Sequence, residues 1–163
     1  NSPHQLDVVA GLRVWSVDRS TDRVCNIPTP TDGLEAKFSL RQTVAMALSG
    51  VDTASLGAYS AETANDPTLA RLREKVALDF RDAWPQAAAE LEVTTTDGRM
   101  FKARHDAGIP SADIATQGER LAAKFDALAE PVLGAACARE LRTAILGLDD
   151  VAKVGTVARL AAS

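Results

Sequence analysis

Four polar residues stand close together between positions 37 and 42: Lys37, Ser39, Arg41 and Gln42. Lys37 and Arg41 are four apart, which in a helix puts both cations on one side. On a chain of formal net charge −4 they form one local basic cluster. Two cations beside a hydroxyl and an amide suit a polycarboxylate held by charge-assisted hydrogen bonds. Lys37 also falls within the first two turns of the helix expected there, where the dipole disfavours a cation. One reading makes this an anion site, in which N–H groups near Gly33 and Leu34 and the Lys37 ammonium converge on a carboxylate or phosphate. The competing reading packs the Lys37 stem and lets its ammonium reach out to water.

Other chemistry finds less support. No serine sits in a Gly-x-Ser-x-Gly elbow, so acyl transfer has no basis. Neither a Gly-x-x-x-x-Gly-Lys loop nor a Gly-x-Gly-x-x-Gly fingerprint is present, which leaves nucleotide binding unsupported. Cys25 and Cys137 lie far apart and have no basic neighbour. They make no metal spacing and read as reduced thiols of a cytosolic protein. With only His4 and His105, a histidine-based metal site is not expected. His105 is of a type to act as a general base, but nothing in sequence converges on it, and an exposed strand-end residue is the simpler reading. Lys102 and Arg104 share a strand face, as on a solvated surface. Asp149 and Asp150 read as helix caps.

The element that must carry the basic cluster runs from Thr31 to Gly50. Asp32 caps it, Glu35 follows at capping-box spacing, and Gly50 stands where a glycine ends a helix. Leu34, Phe38, Val44, Ala45, Met46, Ala47 and Leu48 leave few polar positions, the pattern of a buried central helix. Before it, Leu6, Val8, Ala10, Leu12 and Val14 recur with period two, a strand with one buried face. Gly11 marks a bulge or a close backbone approach. Residues 18–22 read as an exposed loop and Arg23 to Ile27 as a short second strand.

After Gly50, residues 51–59 form a connection. Asp66-Pro67 opens a helix with Leu69, Leu72 and Val76 as its stripe. The chain is extended near residues 77–81 and breaks at Trp84-Pro85. Glu90 to Thr96 and Met100 to His105 flank Asp97-Gly98, a hairpin signal for a type I′ turn. A loop over 107–115 precedes a Thr116/Glu119 capping box, then Leu121, Phe125 and Leu128 at helical spacing. Pro131 starts a further helix through Leu141 and Ile145, ending near Gly147, and a last helix carries Val154, Val157 and Leu160. The order predicts an α+β fold: a small, mainly antiparallel sheet with a β-hairpin, packed against a central buried helix and several further helices.

At 163 residues, 46% hydrophobic and 25% charged, the chain has the make-up of one soluble domain with a real core. Aromatics are only 4%, so Ala, Leu and Val must fill that core. The acidic balance argues against non-specific binding to nucleic acid or anionic membrane. No apolar run spans a bilayer. The chain starts without Met, just ahead of a strand, as a piece of a longer polypeptide would.

The run Glu35-Ala36-Lys37-Phe38-Ser39-Leu40, followed by Val44-Ala45-Met46-Ala47-Leu48, resembles the hallmark of the MmgE/PrpD family. Asp66-Pro67 with Leu72, Lys75 and Val76 is similar to a further segment of that family, as are Asp97-Gly98-Arg99, Gly108-Ile109-Pro110, and Leu121 with Lys124-Phe125. The family includes 2-methylcitrate dehydratase, cis-aconitate decarboxylase and iminodisuccinate epimerase. The resemblance covers nearly the whole chain, from about Leu6 to the end, and makes 1–163 a single domain of the smaller, C-terminal or lid type, without the large helical domain. It implies a parent enzyme of lyase or isomerase chemistry on small di- or tricarboxylates, with no metal or organic cofactor, and an isolated piece that is inactive. It implies as partners a polycarboxylate and the N-terminal helical domain; a homodimer is expected. Lys37 would face the cleft between domains with Ser39 nearby. It would bind a substrate carboxylate or stabilise enolate-like charge; Arg41 and Gln42 are further candidate substrate contacts on the residue pattern alone. Gln42 stands where the family often has Tyr. The rival expectation is a non-catalytic oligomerisation or ligand-binding module that keeps the fold.

Overall fold

The computed structural model describes residues 9–162, without the side chains of residues 13–18. Leu6 and Val8 of the first expected strand, and His4, lie outside the described residues. Strand β1 (Val9–Asp18) is central in a four-stranded sheet of order β2-β1-β3-β4, with β2 Val76–Arg81, β3 Ala88–Thr95 and β4 Met100–Asp106. β1 runs parallel to β2, with Leu12 opposite Val76. It runs antiparallel to β3, which pairs antiparallel with β4. Two of the three pairings are thus antiparallel, and the fold is α+β as expected. The β1–β3 register shifts between Val9 and Gly11, next to the glycine that the sequence singles out; the extra residue is Ala10, which is exposed, and Val9 rather than Ala10 is buried with Leu12.

The chain divides into two compact units, one of residues 1–53 and 57–110, the other of residues 54–56 and 111–163. Between β1 and β2 the first unit carries five short helices: α1 (Asp22–Cys25), α2 (Gly33–Lys37), α3 (Leu40–Leu48), α4 (Ala61–Ala64) and α5 (Pro67–Glu74). Its core joins Val9, Leu12 and Val76 of the sheet to Ala45 and Met46 of α3 and Leu69 and Leu72 of α5. Asp66 caps α5 as expected, its Oδ1 accepting from the N–H groups of Thr68 and Leu69 at 2.7 and 2.9 Å.

Four expectations for this unit need correction. Val76 is not in the stripe of the helix that Asp66-Pro67 opens: α5 ends at Glu74, and Val76 starts β2, opposite Leu12. Arg23 to Ile27 is not a strand. Residues 22–25 are helical, helped by an i to i+4 bond from Asn26 Nδ2 to Asp22 Oδ1 at 2.6 Å, and only Asn26 makes an isolated bridge, to Ser39. The helix from Thr31 to Gly50 is two helices. Ser39 is extended, and its hydroxyl caps α3 by accepting from Gln42 N at 3.2 Å; a Ser-x-x-Gln start signal lies hidden inside the apolar run. The hairpin is where Asp97-Gly98 places it, but its turn is not type I′. Gly98 alone has positive φ, at 83°. Gly98 N donates to Thr95 O and Thr95 N to Arg99 O, both at 2.9 Å. That pattern is a three-residue loop, a type I turn followed by a glycine bulge.

The second unit holds α6 (Ile114–Leu133), α7 (Ala135–Leu146) and α8 (Val154–Ala161). Asp113, rather than Thr116, caps α6: its Oδ1 accepts from Thr116 N at 3.0 Å and its Oδ2 from the Thr116 hydroxyl at 2.7 Å. Pro131 sits inside α6 instead of opening a new helix, and Gly134, at φ 77°, makes the break. Ala138 and Leu141 are its buried apolar residues. An Asp126–Arg142 ion pair at 3.0 Å ties α6 to α7, and Cys137 Sγ donates to Leu160 O between α7 and α8. Asp149 and Asp150 form a 3-10 turn and do not cap α8, whose N-cap is Lys153.

Candidate functional site

The break at Ser39 changes the setting of every expected site residue. Lys37 ends α2 rather than following its start, so the helix dipole now favours its charge. The start of α2 is held by protein carboxylates. Asp32 Oδ1 accepts from Glu35 N at 2.9 Å, and Glu35 Oε2 accepts from the N–H and hydroxyl of Thr31 at 2.7 and 2.8 Å. The Gly33 and Leu34 amides therefore do not converge with Lys37 on one anion. Lys37 is exposed. Leu34, three residues earlier on α2 and 66% exposed, lies on its side of the helix, and Phe38, the C-cap that follows it, is 39% exposed. Only Ala36 of α2 is buried, so the buried central helix is α3 alone.

Lys37 has an aromatic neighbour that no local spacing announces. Its Nζ lies 5.6 Å from the centroid of the Tyr59 ring, within cation–π range. Tyr59 leans on the core cluster, and its hydroxyl donates to Thr53 O at 3.1 Å. Its backbone is pressed against α2: a Cβ built on Gly33 would lie 2.1 Å from Tyr59 O. Asn65 Nδ2 also donates to Thr31 O at 2.9 Å, tying the end of α4 to the entry of α2.

Ser39 and Gln42 are 0% exposed. The Ser39 hydroxyl donates to Ile27 O at 2.6 Å while capping α3. Gln42 Nε2 donates to Thr63 O at 3.0 Å, and its Oε1 accepts from Arg73 Nη1 at 2.5 Å. The same Arg73 nitrogen donates to Ala64 O at 3.1 Å, and Arg73 is 7% exposed. Ser39 and Gln42 thus hold α2, α3, α4 and α5 in place. Arg41 is half-buried on α3 and donates to Asn26 Oδ1, so it and Lys37 do not lie on one continuous helix.

The remaining candidates are surface groups. His105 lies on β4, the exposed outermost strand. Lys102 pairs with Glu92 at 2.9 Å. Glu92 and neighbouring Glu90 hold its ammonium above the usual lysine range, the Glu92 hydrogen bond being the larger cause. Among the described residues, no three His, Cys, Asp or Glu side chains gather as a metal site. A groove of about 320 Å³ between α3, α4 and α5, lined by Ser49, Glu62, Thr63 and Asp66 among others, includes none of the four expected residues. No helix among the described residues is long and apolar enough to cross a membrane.

No curated protein matches the chain. Residues 4–150 match the family model described as the MmgE/PrpD C-terminal domain. That span takes in the whole sheet, the five helices of the first unit and both long helices of the second, and through it the chain belongs to the MmgE/PrpD family.

Proposed function

We propose that the chain serves as the C-terminal, lid-type domain of a cofactor-independent lyase or isomerase acting on small di- or tricarboxylates, of the 2-methylcitrate dehydratase kind. In this reading it works in the cytoplasm, closes over substrate held by a helical domain and assembles as a homodimer. One observation carries it. The chain presents an exposed lysine on a short surface helix, flanked by exposed Leu34 and Phe38 and braced from behind by buried Ser39 and Gln42. Apolar residues around a cation suit a face that closes on a ligand, because closure removes water and strengthens the ammonium's pull on a carboxylate. There Lys37 would grip a substrate carboxylate, or stabilise the enolate-like charge that grows when the neighbouring carbon loses its proton. Arg41 would give longer-range positive potential, and Ser39 and Gln42 would act through the placement of α2 and α3.

The test is Lys37→Ala in the full-length parent, assayed on citrate-like acids. Turnover should fall by about 10²–10³, the range for losing one preorganised donor, with an unchanged circular dichroism spectrum. Full turnover in the variant would refute the assignment. A second reading, an association module, draws support from exposed Leu121, Val132 and Leu146 of the second unit. It is favoured if the 163-residue chain dimerises in sedimentation and the parent shows no turnover of such acids.

A further inference from the structure

We propose that Tyr59 is the positioning residue for Lys37: its ring seats the ammonium and fixes the side from which a carboxylate reaches it. This rests on the reading of Lys37 as a carboxylate-binding group.

A lysine at the surface end of a five-residue helix has four rotatable side-chain bonds and a large rotamer entropy to lose when it binds an anion. The Tyr59 ring reduces that freedom beforehand. Its centroid stands 5.6 Å from Nζ, and the negative π face attracts the cation. The same face repels a carboxylate. The ammonium is therefore covered on its ring side, and its N–H groups remain open on the other. An anion is steered to that open side.

The seat is built rather than incidental. The Tyr59 ring leans on the hydrophobic cluster of the first unit, and its hydroxyl is anchored on Thr53 O at 3.1 Å. Its carbonyl lies so near Gly33 that a side chain there would collide at 2.1 Å. Ser60 next to it caps α4 by accepting from Thr63 N at 3.1 Å. Gln42 and Arg73 grip the carbonyls of Thr63 and Ala64 from below. Ring, backbone and the following helix are each fixed independently of Lys37.

The experiment uses ¹³C reductive methylation of the full chain, which keeps the lysine charge. The sequence has only five lysines, Lys37, Lys75, Lys102, Lys124 and Lys153, and Lys37→Arg assigns the Lys37 signal. A proton over an aromatic face is shifted upfield, so the Lys37 methyl resonance should stand apart from those of exposed Lys124 and Lys153. Tyr59→Leu should move it to their position, while Tyr59→Phe, which keeps the ring, should leave it displaced. The dispersed amide spectrum reports whether each variant is folded, and Tyr59→Phe covers the case in which Tyr59→Leu is not. Citrate is then titrated as the probe. It should perturb Lys37 in the wild type and bind about two- to fivefold more weakly to Tyr59→Leu, the size of an exposed cation–π contact. A Lys37 signal that coincides with those of Lys124 and Lys153 in the wild type, or that Tyr59→Leu leaves in place, overturns the proposal. A displaced Lys37 that ignores citrate upholds the ring seat and refutes the carboxylate reading instead.

Discussion

Gln42 commits its whole amide to the interior, and the consequence is measurable. Arg73 pairs with no carboxylate among the described residues; its buried charge is met by Gln42 Oε1 and Ala64 O. Gln42→Leu should leave that guanidinium one acceptor short and Thr63 O without its donor, costing about 2–3 kcal/mol, the range for a hydrogen bond to a charged group. The double variant Gln42→Leu/Arg73→Met removes both polar partners at similar volume and should recover a large part of the loss. Urea unfolding of the two single variants and the double variant checks this. If the double variant is as unstable as the sum of the singles, the two residues are not coupled. The sequence singles out Lys37 and Gln42 because both break an apolar run, but their roles are set by Tyr59 and Arg73, 22 and 31 residues farther on. Local spacing carries no signal for pairs brought together by the connection after α3 and by the turn from α4 into α5.

At the scale of elements, caps decide the boundaries, and each makes a prediction. Ser39 both ends the approach from α2 and starts α3, so Ser39→Ala should cost about 1–2 kcal/mol in chemical denaturation, the upper range for a lost N-cap. The Ser39→Gly variant should lose less. Asp113 adds a pH dependence at α6. The Thr116 N–H, then its hydroxyl, stabilise the charged carboxylate and hold it below the usual range. A carboxyl depressed in the folded state stabilises fully above its unfolded value of about 3.9, and that contribution is lost as pH falls through the lower folded value. Asp113→Asn keeps a capping oxygen without the titration. It should flatten the acid limb of the helicity curve followed by circular dichroism; an unchanged limb would show that the Asp113 charge does not matter. Caps also explain what was legible. Asp66-Pro67 and Asp97-Gly98 stand between segments of contrasting pattern, so the sequence marks the elements they open. Ser39 is embedded in apolar sequence, and Pro131, a residue type favoured at the first position of a helix, lies inside α6 near its end; neither boundary can be read from local pattern.

On the scale of the whole molecule, the two units have unequal cores. The first gathers Val9, Leu12, Ala45, Met46, Leu69, Leu72 and Val76 from a sheet and two helices. The second relies on Ala138 and Leu141 as its buried apolar residues, while Ile114, Leu121, Val132 and Leu146 are each at least 60% exposed. Helices of 20, 12 and 8 residues are marginal in water without a packed face, and little apolar burial means a low free energy of local opening. Amide hydrogen exchange should therefore show 114–161 exchanging well before β1, β2 and α3, with protection in α6 greatest where Asp126 meets Arg142. Arg142→Ala should speed exchange in α6 and α7 and leave the sheet unchanged. Equal protection across both units would mean that the second unit's exposed apolar face is covered in solution, as dimer formation would do. Repeating the exchange over a range of protein concentrations separates these outcomes, because only protection by association rises with concentration.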